Sequence, residues 1–197
     1  MFPLIITKLS LMKNNSNYYG FTLIELVLTI TILGVLAAFA IPRYFNFKDK
    51  AVITSVQKVS ASLNSALILA SSKVAIEGEK EKIDYSGKDI FLTAGMPSAT
   101  ADTIRNLLNI DLSDSYTRNP QTIPCDETTF CVLGNAFPNK PQYVEIPGHP
   151  LVENGGLDRV VYIWPRGYIL ESRGCYTYYI NKASEATYYA GFIVEKC

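Results

Sequence analysis

Residues 20–41 read Gly-Phe-Thr-Leu-Ile-Glu-Leu-Val-Leu-Thr-Ile-Thr-Ile-Leu-Gly-Val-Leu-Ala-Ala-Phe-Ala-Ile, and this stretch decides the fold. From Phe21 to Ile41 it runs for 21 residues with one charge, Glu25. About 20 apolar residues are enough to cross a bilayer as a helix. A carboxylate inside such a run is costly, because charged side chains in lipid are rare and usually paired. Polar residues from Lys13 onward precede the run and end in Gly20, a small residue beside the bulky Phe21. That junction looks like a place to cut. A secretory signal peptide fits poorly, because its apolar region is about 7–15 residues and its small residues follow that region. An ordinary single-pass anchor explains the length but not Glu25.

Gly20-Phe-Thr-Leu-Ile-Glu ahead of an apolar helix resembles the processing site of type IV pilins and related prepilin-like proteins. The resemblance implies that a dedicated membrane peptidase cuts after Gly20 and methylates the new amino terminus at Phe21. It makes Glu25 the family's acidic assembly residue. It also implies an α+β fold in which a long N-terminal helix packs against a C-terminal antiparallel β-sheet. Residues 1–20 are then the leader. The first twelve are more apolar than such a leader usually is, whereas Met12 opens a short polar one with Lys13 on the cytoplasmic side. Translation is therefore expected to begin at Met12.

The chain has 197 residues, 48% hydrophobic, with 18 basic and 18 acidic side chains. Its zero net charge gives no broad nucleic-acid footprint. The roughly 155 residues beyond the apolar run suffice for one domain core.

The pattern from Phe21 to about Glu77 reads as one helix, roughly 84 Å long at 1.5 Å per residue. Residues 21–41 are apolar all round, as lipid or a tight bundle requires. Pro42 ends that run and should kink or loosen the helix. Gly34 weakens it too. In the resembled family such a glycine–proline stretch can melt on filament packing, while close helix packing explains Gly34 equally well. Across residues 42–77 the character changes: Val52, Val56, Val59, Leu63, Ala66, Leu67, Ala70 and Val74 form a stripe on one face. Glu77-Gly78 supplies the stop.

Residues 78–197 form the head. Residues 78–142 read as a connecting region with a charge run at 79–82, a turn at Tyr85-Ser-Gly-Lys and a short helix over 99–110. Four C-terminal strands are expected at 158–165, 168–171, 175–180 and 187–195, with Arg166-Gly167 and Ser172-Arg173-Gly174 as the first two links, as an antiparallel meander. Tyr162, Tyr168, Tyr176, Tyr178, Tyr179, Tyr188 and Tyr189 fall there. Outward-facing ones would meet surface glycans or neighbouring subunits, although aromatics favour strands in any case. Gly95-Met-Pro-Ser-Ala-Thr-Ala-Asp, Ile41-Pro-Arg-Tyr-Phe-Asn-Phe and residues 70–78 resemble the mannose-sensitive haemagglutinin branch of the type IV pilins.

Cys125, Cys131, Cys175 and Cys197 all lie beyond the apolar run, on the side where disulfides persist. Four cysteines allow three connectivities. The resemblance implies Cys175–Cys197, closing the C-terminal segment, which would leave Cys125–Cys131 around a small loop. A cysteine metal site is the alternative, but the spacings are wider than those of zinc knuckles and the sole histidine, His149, sits in a Pro-Gly-His-Pro turn. The loop acids Asp111, Asp114, Asp126 and Glu127 match no calcium loop. No catalytic constellation or phosphate loop is present in the sequence, and no cofactor is expected.

The expected function is structural. The chain would be stored in the inner membrane as a single-pass prepilin, trimmed by prepilin peptidase, and passed by the inner-membrane assembly machinery into an extracellular filament. Self-association would be head-to-tail and non-closing, and surface adhesion its use. Two alternatives share the anchor: a pseudopilin of a type II secretion system, and a membrane-anchored binding module that forms no multimer.

Overall fold

A computed structural model describes residues 20–78, 80–112, 119–126, 128–151 and 156–197, with backbone alone at 42 and 45. The expected leader before Gly20, with Met12 and Lys13, lies outside the described residues, as do Glu79, Asp114 and Glu127. The chain divides into two compact units, one ending at Tyr44 and one from Phe45 to Cys197. Helix α1 (Leu23–Glu77) begins in the first and ends in the second. Its backbone stays helical through Gly34 and Pro42.

Within the second unit the stripe from Val56 to Val74 is buried at three- and four-residue steps, as one helix face requires. Gly78 ends α1 in the left-handed region, at φ +82°, and donates its N–H to Val74 O at 2.9 Å. Glycine adopts that conformation at no steric cost.

The region expected only to connect contains a small antiparallel sheet: β1 (Lys82–Tyr85), β2 (Lys88–Thr93) and β3 (Met96–Pro97). Ser86 and Gly87 at the first turn both have positive φ, the two-residue hairpin geometry whose twist matches the strands. Ionic side chains hide these strands in the sequence, since the hairpin buries mainly Ile83 and Ile90. Helix α2 (Ala101–Leu107) is shorter than the expected 99–110. Thr100 caps it by accepting the Thr103 N–H at 3.2 Å, and Leu108 leaves it in extended backbone.

The main sheet is an antiparallel meander of β4 (Phe130–Ala136), β5 (Arg159–Pro165), β6 (Cys175–Lys182) and β7 (Thr187–Val194). Two expectations need correction. Residues 168–171 are not a strand, because their backbone groups bond to the preceding loop: Cys125 N to Tyr168 O at 2.9 Å and Leu170 N to Pro120 O at 2.7 Å. Those groups are then unavailable to a ladder. The fourth strand is β4 instead, which lies among prolines and shows no alternation because Phe130-Cys-Val-Leu is buried throughout.

The sheet is covered on both faces. Val161, Ile163 and Tyr179 share a core with α1 and α2, while Val160, Tyr162, Trp164, Tyr176 and Ile180 meet Val144, Ile146, Leu151 and Leu170 on the other side. Most strand tyrosines are therefore core residues and do not face out. Tyr162, Tyr176 and Tyr179 are fully buried and Tyr178 nearly so, whereas Tyr168 and Tyr188 are half-buried and Tyr189 is exposed. Burial pushes the Tyr162, Tyr176 and Tyr179 hydroxyls well above the usual tyrosine range, so all three stay neutral donors. They donate to the carbonyls of Val144, Ser172 and Pro97 respectively.

Alternate residues of β6 also tie the sheet to its neighbours. Thr177 donates to Val56 O of α1 at 3.0 Å, and Asn181 donates to Thr93 O and Pro97 O at 3.2 and 3.0 Å.

At Gly134 β4 passes close against the start of α2. A Cβ there would lie 2.3 Å from Ala101 N and 2.7 Å from Thr100 C, both backbone atoms that cannot swing aside. Gly134→Ala should therefore lower stability by about 1–3 kcal/mol, the usual cost of overpacking, read by denaturant unfolding of the full chain.

Candidate assembly site at the helix start

The expected cut falls between Gly20 and Phe21, and both residues lie outside α1 and are exposed. A peptide bond in a helix is tied into the intrahelical ladder; this one is not. The reason lies in the next four residues. Thr22 donates its N–H and its Oγ1–H to Glu25 Oε2, each at 2.9 Å, and Thr22 Oγ1 accepts the Glu25 N–H at 3.3 Å. Thr22 O accepts the Leu26 N–H at 3.2 Å. This is a reciprocal capping box, Thr-x-x-Glu, satisfying orphan donors at a helix start. It fixes the first helical residue at Leu23 and leaves the residues before it as open chain. The signal was present in the sequence as Thr22-Leu-Ile-Glu25, but the reading of Glu25 as a charge in lipid hid it.

Glu25 Oε2 takes both bonds from Thr22, and Oε1 has no hydrogen-bond partner among the described residues. The carboxylate thus caps its own helix and keeps acceptor capacity for another donor. Behind it, the side chains of residues 21–41 are exposed all round, with Phe21, Leu23 and Ile24 each at least 75% accessible. Thr29 and Thr31 return their hydroxyls to Leu26 O and Leu28 O at 2.8 Å. Every polar side chain behind Glu25 in that run is therefore satisfied within the helix, as an apolar surrounding demands. By length and composition α1 contains a segment able to cross a membrane. Around Gly34, nothing lies within 4 Å of where a Cβ would stand.

The remaining candidate residues lie in the second unit. Cys125 is bonded to Cys131, with Cα atoms 5.8 Å apart, and Cys175 to Cys197, at 4.9 Å. The first pair joins β4 to the loop that bonds residues 167 and 168. The second ties the start of β6 to the last residue, and Tyr168 Oη donates to Cys197 O at 3.1 Å. His149 lies against Tyr189, ring centroids 4.5 Å apart. Asp111 accepts the N–H and hydroxyl of Thr129, which hold its carboxyl below the usual range. Among the described residues no group of three or more His, Cys, Asp or Glu side chains is placed to hold a metal ion.

Residues 15–41 match the family described as the prokaryotic N-terminal methylation motif. The chain is similar to the type IV major fimbrial protein FimA of Dichelobacter nodosus, 30% identical over 87 residues, covering 43% of this chain and 52% of that protein. It is similar to the type IV narrow pilus major component PilA5 of Thermus thermophilus, 43% identical over 51 residues, 26% of this chain and 44% of that one. A fimbrial protein of Pseudomonas aeruginosa is 35% identical over 81 residues, 41% and 50% of the two chains. These findings support the type IV pilin family. A long N-terminal helix with a C-terminal antiparallel sheet is consistent with the type IV pilin fold. The chain spans about half the length of the curated relatives it matches. No solved structure matches it.

Cys197→Ser should release the end of the chain. A disulfide closing a loop of this size contributes about 3 kcal/mol in the chain-entropy account. The expected result is lower subunit abundance and a Cys175 thiol that alkylates, read by mass spectrometry; Cys175 bonded to Cys131 would contradict the pairing.

Proposed function

We propose that this chain is a structural subunit of a type IV pilus, processed by prepilin peptidase and assembled by helix bundling for surface adhesion. The observation that carries the proposal is the open Gly20–Phe21 junction, followed at once by a capped helix whose first 19 described residues to Ile41 bury nothing. Lipid can cover such a surface before assembly, and neighbouring copies can cover it afterwards. Cleavage after Gly20 leaves an amino terminus on Phe21, four residues before Glu25, where N-methylation follows. Pro42 and Gly34 mark the part of α1 able to kink or melt as copies pack.

In this reading residues 1–20 are the leader, with Met12 as the start. Residues 21–41 form the anchor and filament core, 42–77 the amphipathic half of the helix, and 78–197 the head. The subunit waits in the inner membrane, the assembly machinery there draws it into the fibre, and the fibre extends outside the cell. The segments around Gly95 and Ile41 support the mannose-sensitive haemagglutinin branch. Surface glycans are the proposed adhesive partners.

Glu25 is the residue to test, because its charge and its cap can be separated. A carboxylate at a helix centre in lipid costs about 2.5–3.5 kcal/mol, less near an end. An amino terminus on an adjacent helix would offset that cost at one axial register only. Glutamine keeps the capping box but loses the charge. Glu25→Gln and Glu25→Ala should both insert and be cut normally, yet leave the sheared-fibre fraction empty in cells carrying only the variant. Normal fibre yield from Glu25→Gln would reduce Glu25 to a helix cap.

A further inference from the structure

A cavity of about 110 Å³ opens on the head beside the β2–β3 turn, the end of β4 and the start of β5. Its chemistry comes from Thr93, Ser98, Asn135, Leu157, Arg159 and Asn181. Asn181 is the informative one. It is 1% exposed, and its Nδ2 donates to two carbonyls, Thr93 O and Pro97 O. Only a nitrogen can face two carbonyls, so the amide orientation is fixed. Asn181 Oδ1 is then a buried acceptor with no hydrogen-bond partner among the described residues. Buried polar atoms are almost always paired, and an unpaired one in a cavity wall points to an occupant.

The occupant must donate to Asn181, and the rest of the wall says what else it must do. Arg159 donates from Nε to Asn135 Oδ1 at 3.0 Å and from Nη1 to Gly156 O and Asp158 O at 2.7 Å. Its guanidinium also lies over the Phe137 ring, 4.4 Å from the centroid. It is a fixed donor rather than a mobile cation. Arg159 Nη2 and Asn135 Nδ2 have no hydrogen-bond partner among the described residues, so the wall also offers N–H groups to an acceptor. Thr93 and Ser98 add a pair of hydroxyls 2.7 Å apart. Among the described residues no lining side chain is a carboxylate, so a cation finds no counter-charge there. A carboxylate ligand would set its oxygens against Asn181 Oδ1. Hydroxyl groups donate and accept at once and satisfy both sides.

Two further observations fit a built site. Leu157 at the rim is 64% exposed, an apolar wall suited to the C–H face of a ring. Asn135 occupies a bulge in β4, where the register with β5 shifts, and holds φ +57° while its N–H bonds Ala99 O at 2.7 Å. Left-handed backbone at a non-glycine residue is uncommon, and bulges re-aim side chains. Here the bulge brings the Asn135 amide to Arg159.

We infer that this cavity binds one hydroxyl-bearing edge of a neutral sugar or polyol, with Asn181 Oδ1 accepting from a ligand hydroxyl and Arg159 and Asn135 donating to its oxygens. The site gives the adhesion proposed above a chemical target and in that sense rests on it. It is read on dispersed subunits, so its failure leaves fibre assembly standing.

The test is saturation-transfer NMR on the full chain in phosphatidylcholine nanodiscs, free of glycoside detergents, with glucose, mannose, galactose and glycerol as probes. Transfer to at least one probe is expected; transfer to ring sugars alone assigns a glycan, and transfer to glycerol as well assigns a shared diol edge. Asn135→Gly suits the positive φ and preserves the fold, yet should weaken binding about tenfold, the equivalent of ~1.4 kcal/mol. Leu157→Ser, at an exposed position, should weaken it less. No transfer to any probe means water is the occupant and overturns the proposal. Binding unchanged in Asn135→Gly places the sugar elsewhere and overturns it equally.

Discussion

An apolar helical segment with nothing packed on it is the constraint from which the rest follows. Fully burying a large apolar side chain is worth about 1.5–3 kcal/mol, and more than a dozen between Phe21 and Ile41 lie exposed on the single chain. Together they represent tens of kcal/mol of unmet burial, against about 5–15 kcal/mol of net stability for a whole domain. No rearrangement of the head could offset that. The segment therefore requires a surrounding, and the capping box at its start sets where that requirement begins. Thr22 and Glu25 stop the helix short of Gly20 and Phe21, so one short motif both closes the apolar segment and leaves the junction open.

The head follows a different logic. Its sheet is buried on both faces, by α1 on one and by the segments around Val144, Ile146 and Leu170 on the other. Covering two faces with so few elements needs large side chains, which is why Trp164 and the tyrosines are there. The Tyr162, Tyr176 and Tyr179 hydroxyls each find a backbone carbonyl, and Thr177 and Asn181 do the same along β6. The disulfides act at the margins, where β4 meets its loop and where the chain ends.

How much of this the sequence disclosed depended on whether one force dominated locally. The stripe from Val56 to Val74 was legible because a single helix face is buried, and β5 to β7 because each is a run of branched and aromatic residues bounded by turn residues. β4 was not, since burial on both faces erases alternation and prolines surround it. Residues 168–171 have strand composition but spend their backbone bonds on the 120–125 loop, a partner choice that no local pattern encodes. β1 and β2 were masked by the exposed charges Lys82, Asp84, Lys88 and Asp89. At the assembly site the residues were legible and the geometry was not. Glu25 stood out as a misplaced charge, while its hydrogen bonds to Thr22 make it equally a cap. The cavity at Asn181 left no trace in the sequence, because its wall is drawn from four separate stretches of chain.

The proposed pilus role requires other copies of this chain to cover residues 21–41 once fibres form. A photoreactive benzophenone amino acid in place of Leu33, which is exposed on α1, tests it directly. Irradiated fibres should yield covalent dimers whose cross-linked peptides both come from α1, while the same subunit held in membranes should yield lipid adducts. Fibres that give only uncross-linked monomer, or cross-links to a different protein, would contradict the account.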